Sequence, residues 1–282
     1  MSMPPANRAQ RPILITGCSS GIGACVAHGL KDRGYRVFAT ARQEQDVTRL
    51  RGEGFESFLL DLTDSESITG SLQAVLNRTE GELYGLFNNG AYAQPGAVED
   101  LSRACLTASF ETNLFGWHEL TTHVLPIMRA QGYGRIIQNS SILGFTALKY
   151  RGAYNATKFA LEGLTDTLRL ELQGTGIYLS LVEPGPIHSR INANALLAFQ
   201  RWIDHQGSVH RAAYDAQLPR LQDAQHVPFK LPPEAVLKRV IHALESDRPK
   251  RRYPVTTPTY LFAALQRVLP TAILDWIQIK VS

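Results

Sequence analysis

The sequence predicts an α/β fold, a doubly wound parallel sheet in one domain, and three observations predict it. Apolar runs of strand length alternate with stretches of helical periodicity along most of the chain. Gly17, Gly21 and Gly23 crowd the turn after the first apolar run, in "ILITGCSSGIG". The 282 residues are 44% hydrophobic and 19% charged, a balance able to bury one large core and still cover it with polar groups.

Taken in order, Ile13, Leu14 and Ile15 read as a buried strand over 12–16. Val26, Ala27 and Leu30 then recur at helical spacing within a helix over about 21–34. Further strands are expected at 35–40, 55–60, 83–88, 134–139 and 177–182, with a weaker seventh at 252–255. Helices fall at about 65–79, 103–131, 152–173 and 233–246. Strands spaced by helices imply right-handed crossovers and a parallel sheet covered on both faces. Ligands of such a fold bind beyond the carboxyl ends of its strands. After Pro184 the pattern loosens, and 186–230 reads as a long irregular lid or binding loop. Residues 256–282 form an apolar tail interrupted by Pro270. With residues 1–10 a polar extension, 11–282 is one domain.

Several function classes are disfavoured. A net charge of +4 is too small to argue for nucleic acid. Cys18, Cys25 and Cys105 have no metal or redox spacing and fit unpaired thiols in a reducing compartment. The N-terminal residues lack an apolar core of signal-peptide length, and no apolar run reaches the length of a membrane span, so a cytoplasmic protein is expected. His205, His210 and His226 lack metal-ligand spacing, and no metal is expected. "DRPKRRYP" (247–254) reads as a solvated loop. The tail is expected to pack on the protein or on a partner subunit; contact with a membrane surface is the less favoured alternative.

Glycine costs stability in regular structure, so three within seven residues imply a need for bare backbone. A strand, a bare loop and a helix N-terminus together make an anion site, suited to a phosphate or pyrophosphate. A tight turn without a ligand is the alternative that the glycines alone leave open.

The spacing is Gly-x-x-x-Gly-x-Gly, preceded by Thr16. Asp61-Leu62 follows the third strand and Asn88-Asn89-Gly90-Ala91 the fourth. Asn113-Leu114-Phe115-Gly116 lies in the next long helix. Ser140-Ser141 follows the fifth strand, ahead of Tyr154-Asn155-Ala156-Thr157-Lys158, and Pro184-Gly185-Pro186-Ile187-His188-Ser189 follows the sixth. In this order the motifs resemble the short-chain dehydrogenase/reductase family, tightly over residues 11–190 and loosely beyond. The chain looks most like the bacterial branch that reduces aldehydes, near the retinol and 17β-hydroxysteroid dehydrogenases. Two departures stand out: Gly90 precedes Ala91 where the family usually has the reverse, and Ser189 stands where threonine is common.

The resemblance implies a Rossmann fold with a C-terminal substrate-binding lobe, a homo-oligomer, and hydride transfer between NADP(H) and an aldehyde, ketone or alcohol. It implies that Gly17, Gly21, Ile22 and Gly23 line the pyrophosphate and that Ser19 and Ser20 also bind the cofactor. Asp61 and Leu62 would meet adenine, Asn88 the adenosine ribose and Ser189 the carboxamide, with Gly90, Pro184, Gly185 and Ile187 as further cofactor-binding residues. Tyr154 would be the acid, Ser141 would bond the substrate oxygen, and Lys158 would also bind the nicotinamide ribose. Asn113 would hold a water in a proton relay, although a helical asparagine can instead mark a kink. Asp61 could also cap the helix that begins near Ser65.

Physical chemistry supports these roles independently. A carbonyl accepting hydride needs a proton, and a phenol can donate one although its ordinary pKa is about 10. Tyr154 and Lys158 are i and i+4 on a helix, and a nearby cation favours the phenolate. Ser141 can bond the oxygen as charge builds; Ser140 is adjacent, and only the family spacing selects between them. Arg42 follows the second strand, where the adenosine ribose should lie. Its always-charged fork suits a 2′-phosphate, whereas an acid there would suit a 2′-hydroxyl. The nearest acid is Glu44. Tyr92, Phe145, Leu148, Tyr150 and Trp202 lie in loops at the strand ends, which favours an apolar substrate pocket over ordinary core. The expected protein is therefore an NADP(H)-preferring reductase of apolar aldehydes or ketones. Its rivals are a non-catalytic NADP(H)-binding redox sensor and an extended-type epimerase or dehydratase.

Overall fold

The apolar run Pro12–Ile15 (β1) is buried on both faces because alternate strand residues enter different cores. Ile13 and Ile15 join one hydrophobic cluster and Leu14 the other. This computed structural model describes residues 7–222 and 228–281. After β1 come α1 (Gly21–Asp32), β2 (Arg36–Ala41), α2 (Glu44–Gly52), β3 (Glu56–Leu59), α3 (Ser65–Arg78) and β4 (Gly85–Asn88). Then follow α4 (Arg103–Phe110), a π-helical turn (Glu111–Phe115), α5 (Gly116–Gln131), β5 (Gly134–Asn139), α6 (Gly152–Glu171) and β6 (Ile177–Glu183). The rest is α7 (Ile191–Trp202), α8 (Arg211–Gln222), α9 (Glu234–Glu245), β7 (Arg252–Pro254), α10 (Thr257–Val268) and α11 (Thr271–Val281).

The strands form one parallel sheet in the order β3-β2-β1-β4-β5-β6-β7. On one face, Val26 and Leu30 of α1 pack with Val236, Val240 and Leu244 of α9. On the other, Ile68 and Leu72 of α3 pack with Trp117, Leu120 and Val124 of α5 and Leu161 of α6. The strand order reverses between β1 and β4, and a crevice opens beyond their carboxyl ends.

The structure departs from the sequence reading in three places. Residues 103–131 are not one regular helix: α4 and α5 are joined through the π turn, which interrupts the i→i+4 bonding. The segment 44–52 is a helix that the sequence reading left as connection. The described residues of 186–230 are mainly helical, as α7 and α8, not irregular. Phe199, Ile203 and Tyr214 hold these two helices against Ala97 in a separate small core. The tyrosine hydroxyl bridges there, accepting from the Ala97 N–H at 2.8 Å and donating to Asp100. In the tail, Pro270 separates α10 from α11, as the sequence implied. No helix among the described residues is long and apolar enough to cross a membrane.

Candidate active site

Beyond the carboxyl ends of β1, β4, β5 and β6 lies a cleft of about 470 Å³, within the range of small-molecule sites. Its floor is the glycine-rich turn. Gly17 and Gly21 have positive φ (72° and 58°), which glycine adopts at little cost. A Cβ on Gly17 would lie 2.6 Å from Gly90 Cα, and one on Gly23 would lie 2.2 Å from the Gly17 carbonyl oxygen. Bare backbone at these two positions thus makes room for the protein's own chain. Gly21 borders the cleft itself, opposite Ser189. Gly90 and Ala91 both line the cleft, and a Cβ on Gly90 would press on Leu62 Cδ1 at 3.1 Å while only touching Gly17. Thr16 ties the two strand ends together, accepting from the N–H groups of Asn89 and Gly90 at 2.8 and 3.0 Å. Ser20 precedes α1 without a side-chain cap, so the first N–H groups of that helix keep their capacity for an anion. A dinucleotide pyrophosphate fits this donor set.

The opposite wall carries Ser141, Tyr154 and Lys158, all lining the cleft. Ser141 follows β5, while Tyr154 and Lys158 are one turn apart on α6. Ser141 Oγ donates to the Pro184 carbonyl at 3.5 Å and stands near enough to the Tyr154 phenol to favour its ionised form. Ser141 Oγ also accepts from the Leu143 N–H at 3.1 Å. Lys158 Nζ donates to the Asn139 carbonyl at 2.9 Å and lies 4.2 Å from the centre of the Trp117 ring. Burial pushes the Tyr154 phenol up to about 12, against the opposing pull of Ser141. The expected lowering by Lys158 is absent here because burial also brings that ammonium down to about 7. A protonated phenol is the form that can donate to a carbonyl oxygen.

Behind this wall is a buried charged cluster. Ser140 Oγ donates to Glu162 Oε1 at 2.6 Å, one turn along α6 from Lys158. Arg252 of β7 bonds Glu162, Glu183 at 2.6 Å and Asp166 at 2.7 Å. Burial raises the carboxyl of Glu162 despite Ser140 and Arg252, and pushes that of Glu183 up to about 7. Glu162 in turn raises Lys158. Between about 7 and 10.5 the unfolded chain keeps a proton that folded Lys158 has lost, so this group makes stability rise with pH across that window. Any activity of the cleft that needs the ammonium should show a falling limb as pH rises through about 7. In Glu162→Gln that limb should move to lower pH, because a group that raises Lys158 is gone. A limb that stays in place would remove Lys158 from the profile.

Of the other expected site residues, Ser19, Ser20, Ile22, Gly90, Leu148, Pro184, Gly185, Ile187 and Ser189 line the cleft. Several do not. The Asn88 side chain is fully buried and donates to Thr121 Oγ1 at 3.1 Å, so only its main chain could serve a ribose; Asn89 lines the cleft in its place. Successive strand residues point to opposite faces, which separates the two asparagines. Asn113 is fully buried in the π turn. Its amide clasps the backbone of Tyr92, accepting from N–H at 3.1 Å and donating to the carbonyl at 2.9 Å, and also donates to Thr157. That is a positioning role; a relay water would have to meet its main chain. Asp61 and Leu62 lie outside the cleft lining. Asp61 bonds the N–H and hydroxyl of Thr63, and Asp64 caps α3 instead. Leu62 is buried close to Gly90.

Among the expected apolar residues, the Tyr92 hydroxyl turns to Ser109 at 3.3 Å, and neither Tyr92 nor Phe145 lines the cleft. Tyr150 packs on Tyr214 and His210, and Trp202 lies against Arg201. Arg42 is exposed at the end of β2, outside the cleft lining. His205 and His210 each pair with a carboxylate, Asp215 and Glu99, and His226 lies outside the described residues. The sequence reading missed Asn139, Leu143, Arg151, Ile191 and Ala195, all of which line the cleft. It also missed Arg49, which donates to the Ser19 carbonyl at 2.9 Å. A helical reading of 191–202 would have found the α7 residues.

Comparison with known proteins gives a consistent result. Residues 11–198 match the profile of the short chain dehydrogenase family. An Escherichia coli (strain K12) protein described as "Uncharacterized oxidoreductase YbbO" is 41% identical over 267 residues, covering 94% of this chain and 93% of that one. Human retinol dehydrogenase 8 is 33% identical over 258 residues, covering 86% of this chain and 81% of its own length. A crystal structure of a variant actinorhodin polyketide ketoreductase with NADPH superposes with a TM-score of 0.72. It is 28% identical and covers 89% of this chain and 97% of that one.

Proposed function

We propose, from the premise that this chain belongs to the short-chain dehydrogenase family and is an oxidoreductase, that it is an NADP(H)-dependent reductase of apolar aldehydes or ketones. The observation that carries this reading is the meeting of Ser141, Tyr154 and Lys158 in one cleft with the uncapped N-terminus of α1. Residues 17–22, Lys158 and Ser189 would hold the dinucleotide, which supplies the hydride when bound. Tyr154 then donates its phenolic proton to the carbonyl oxygen. Ser141 donates a hydrogen bond to the same oxygen as charge develops on it. Lys158, in its charged form, stabilises the phenolate that Tyr154 leaves behind. Leu143, Leu148, Ile191 and Ala195 give the substrate end an apolar lining, and α7 forms one wall as part of the expected cover over the cleft. Exposed Leu106, Phe115, Phe159 and Leu164 on the helices of one face support a second copy packed there.

The reading is tested by carbonyl-dependent NADPH oxidation across straight-chain, retinoid and steroid carbonyls. Tight NADPH binding without turnover on any of them would favour a redox sensor. The 28%-identical ketoreductase supplies one precedent for NADPH, and Arg42 supplies the physical reason. A hydrogen bond to a charged group contributes about 1.5–3 kcal/mol, so Arg42→Ala should weaken NADPH binding by roughly 10–150-fold. NADH, lacking the 2′-phosphate, should be little affected. Equal weakening of both cofactors, or a native preference for NADH, would remove Arg42 as the selector.

A further inference from the structure

The cleft is lined by cations and by no Asp or Glu among the described residues. Besides Lys158 these cations are Arg151, Arg190 and Lys230. Arg190 follows Ser189, whose Cβ lies 3.0 Å from where a Gly21 Cβ would stand, and Lys230 precedes Leu231, which bridges to Ile187. Both therefore stand toward the glycine turn, where the charge of a dinucleotide accounts for them. Arg151 stands elsewhere. It bridges to Gly96 and immediately precedes α6, three residues before Tyr154 and three after Leu148.

Among the described residues Arg151 has one hydrogen bond, from Nη1 to the carbonyl of its neighbour Tyr150 at 3.1 Å. No ion pair joins it to a carboxylate among the described residues. Burial lowers its guanidinium, and no acidic group acts to restore it. A partly buried cation with no counter-ion among the described residues is costly, and leaving one in a ligand cleft makes sense when the ligand brings the anion. The guanidinium fork matches a carboxylate.

We infer that Arg151 is a specificity residue that receives a carboxylate carried by the apolar carbonyl substrate. The inference rests on the reductase reading above. Side chains at i and i+3 start about 5–6 Å apart, so the acid and the reacting carbonyl are separated by intervening carbons. The substrate class is thus an oxo acid with an apolar chain, such as an ω-oxoalkanoate, not a fully neutral carbonyl compound.

The test compares short and long ω-oxoalkanoates with their methyl esters, using native enzyme, Arg151→Gln and Arg151→Lys. Native enzyme should prefer the acids. Arg151→Gln should lower kcat/KM for the acids by roughly 10–150-fold, the equivalent of a hydrogen bond to a charged group. That loss should fall mainly on KM, leave the esters nearly unchanged, and be partly rescued in Arg151→Lys. The esters report folding, because a misfolded variant loses both substrates. Equilibrium binding of a saturated alkanoate and its ester gives a readout without turnover. An unaltered acid-to-ester ratio in Arg151→Gln, or an alkanoate bound no better than its ester by native protein, overturns the inference. Acid-selective, Arg151-dependent binding with no reduction of any carbonyl would instead sink the reductase reading and leave Arg151 as an anion receptor.

Discussion

Tyr154→Phe is expected to lower carbonyl reduction by about 10²–10⁴-fold, the range that general acid catalysis contributes. The substitution keeps the buried ring and removes only the hydroxyl that faces the cleft beside Ser141. Ser141 retains the Leu143 N–H at 3.1 Å, so the turn after β5 should stay in place. Lys158 retains the Asn139 carbonyl at 2.9 Å. NADPH binding should accordingly survive while the chemical step fails. Single-turnover NADPH oxidation, measured beside the dissociation constant of NADPH, separates these two effects. Near-normal turnover in the variant would remove Tyr154 from proton transfer.

The second large effect is on stability. Arg252→Met should destabilise the fold by about 3–5 kcal/mol, the usual result of removing one partner from a buried ion pair. Glu162 and Glu183 are only 6% and 2% exposed, and both lose their arginine partner. Because Arg252 itself is partly open to solvent, the lower end of that range is expected. The pH dependence has a definite sign. Glu183 titrates at about 7 in the fold against an ordinary 4.5. Its contribution is therefore present at low pH and lost as pH rises through about 7. Without Arg252 the two carboxylates should hold their protons to still higher pH, so the penalty should be largest near pH 8 and shrink towards pH 5. Urea unfolding at both pH values measures this, with Arg252→Met combined with Glu183→Gln expected to recover part of the loss. A cost under about 1 kcal/mol at pH 8 would show that the cluster behaves as a solvated surface network.

How much of this was legible in the sequence depended on the element. Strands β1 and β4 were visible because every residue is buried and nearly all are apolar or small; β5 showed only through Ile136 and Ile137, since its Arg135, Gln138 and Asn139 are buried as well. Helix α2 was hidden because only Val47 and Leu50 of its nine residues are buried, among charged neighbours. Helices α7 and α8 were hidden for another reason. Their small core is completed by Ala97, about a hundred residues away in sequence, and Pro219 lies inside α8. A local pattern cannot report such a contact. The π turn was legible only as the kink that a helical asparagine at 113 can mark. For the site, ordered motifs identified Ser141, Tyr154 and Lys158. Side-chain direction was out of reach, and so Asn88 was chosen over Asn89, and Tyr92 and Phe145 over Leu143 and Ile191. Arg151 was passed over because a charge beside a helix start looks like surface until the cleft is seen.

The central claim is hydride transfer from NADPH to an apolar carbonyl compound, with Tyr154 donating the proton. Its most direct measurement is single-turnover reduction of an apolar aldehyde by NADPH deuterated at its transferable position, followed by mass analysis of the alcohol. Native enzyme should produce alcohol carrying the deuterium, and Tyr154→Phe, with NADPH still bound, should produce almost none. Bound NADPH with no labelled alcohol from any apolar aldehyde or ketone, or equal labelling by the variant, would contradict the account.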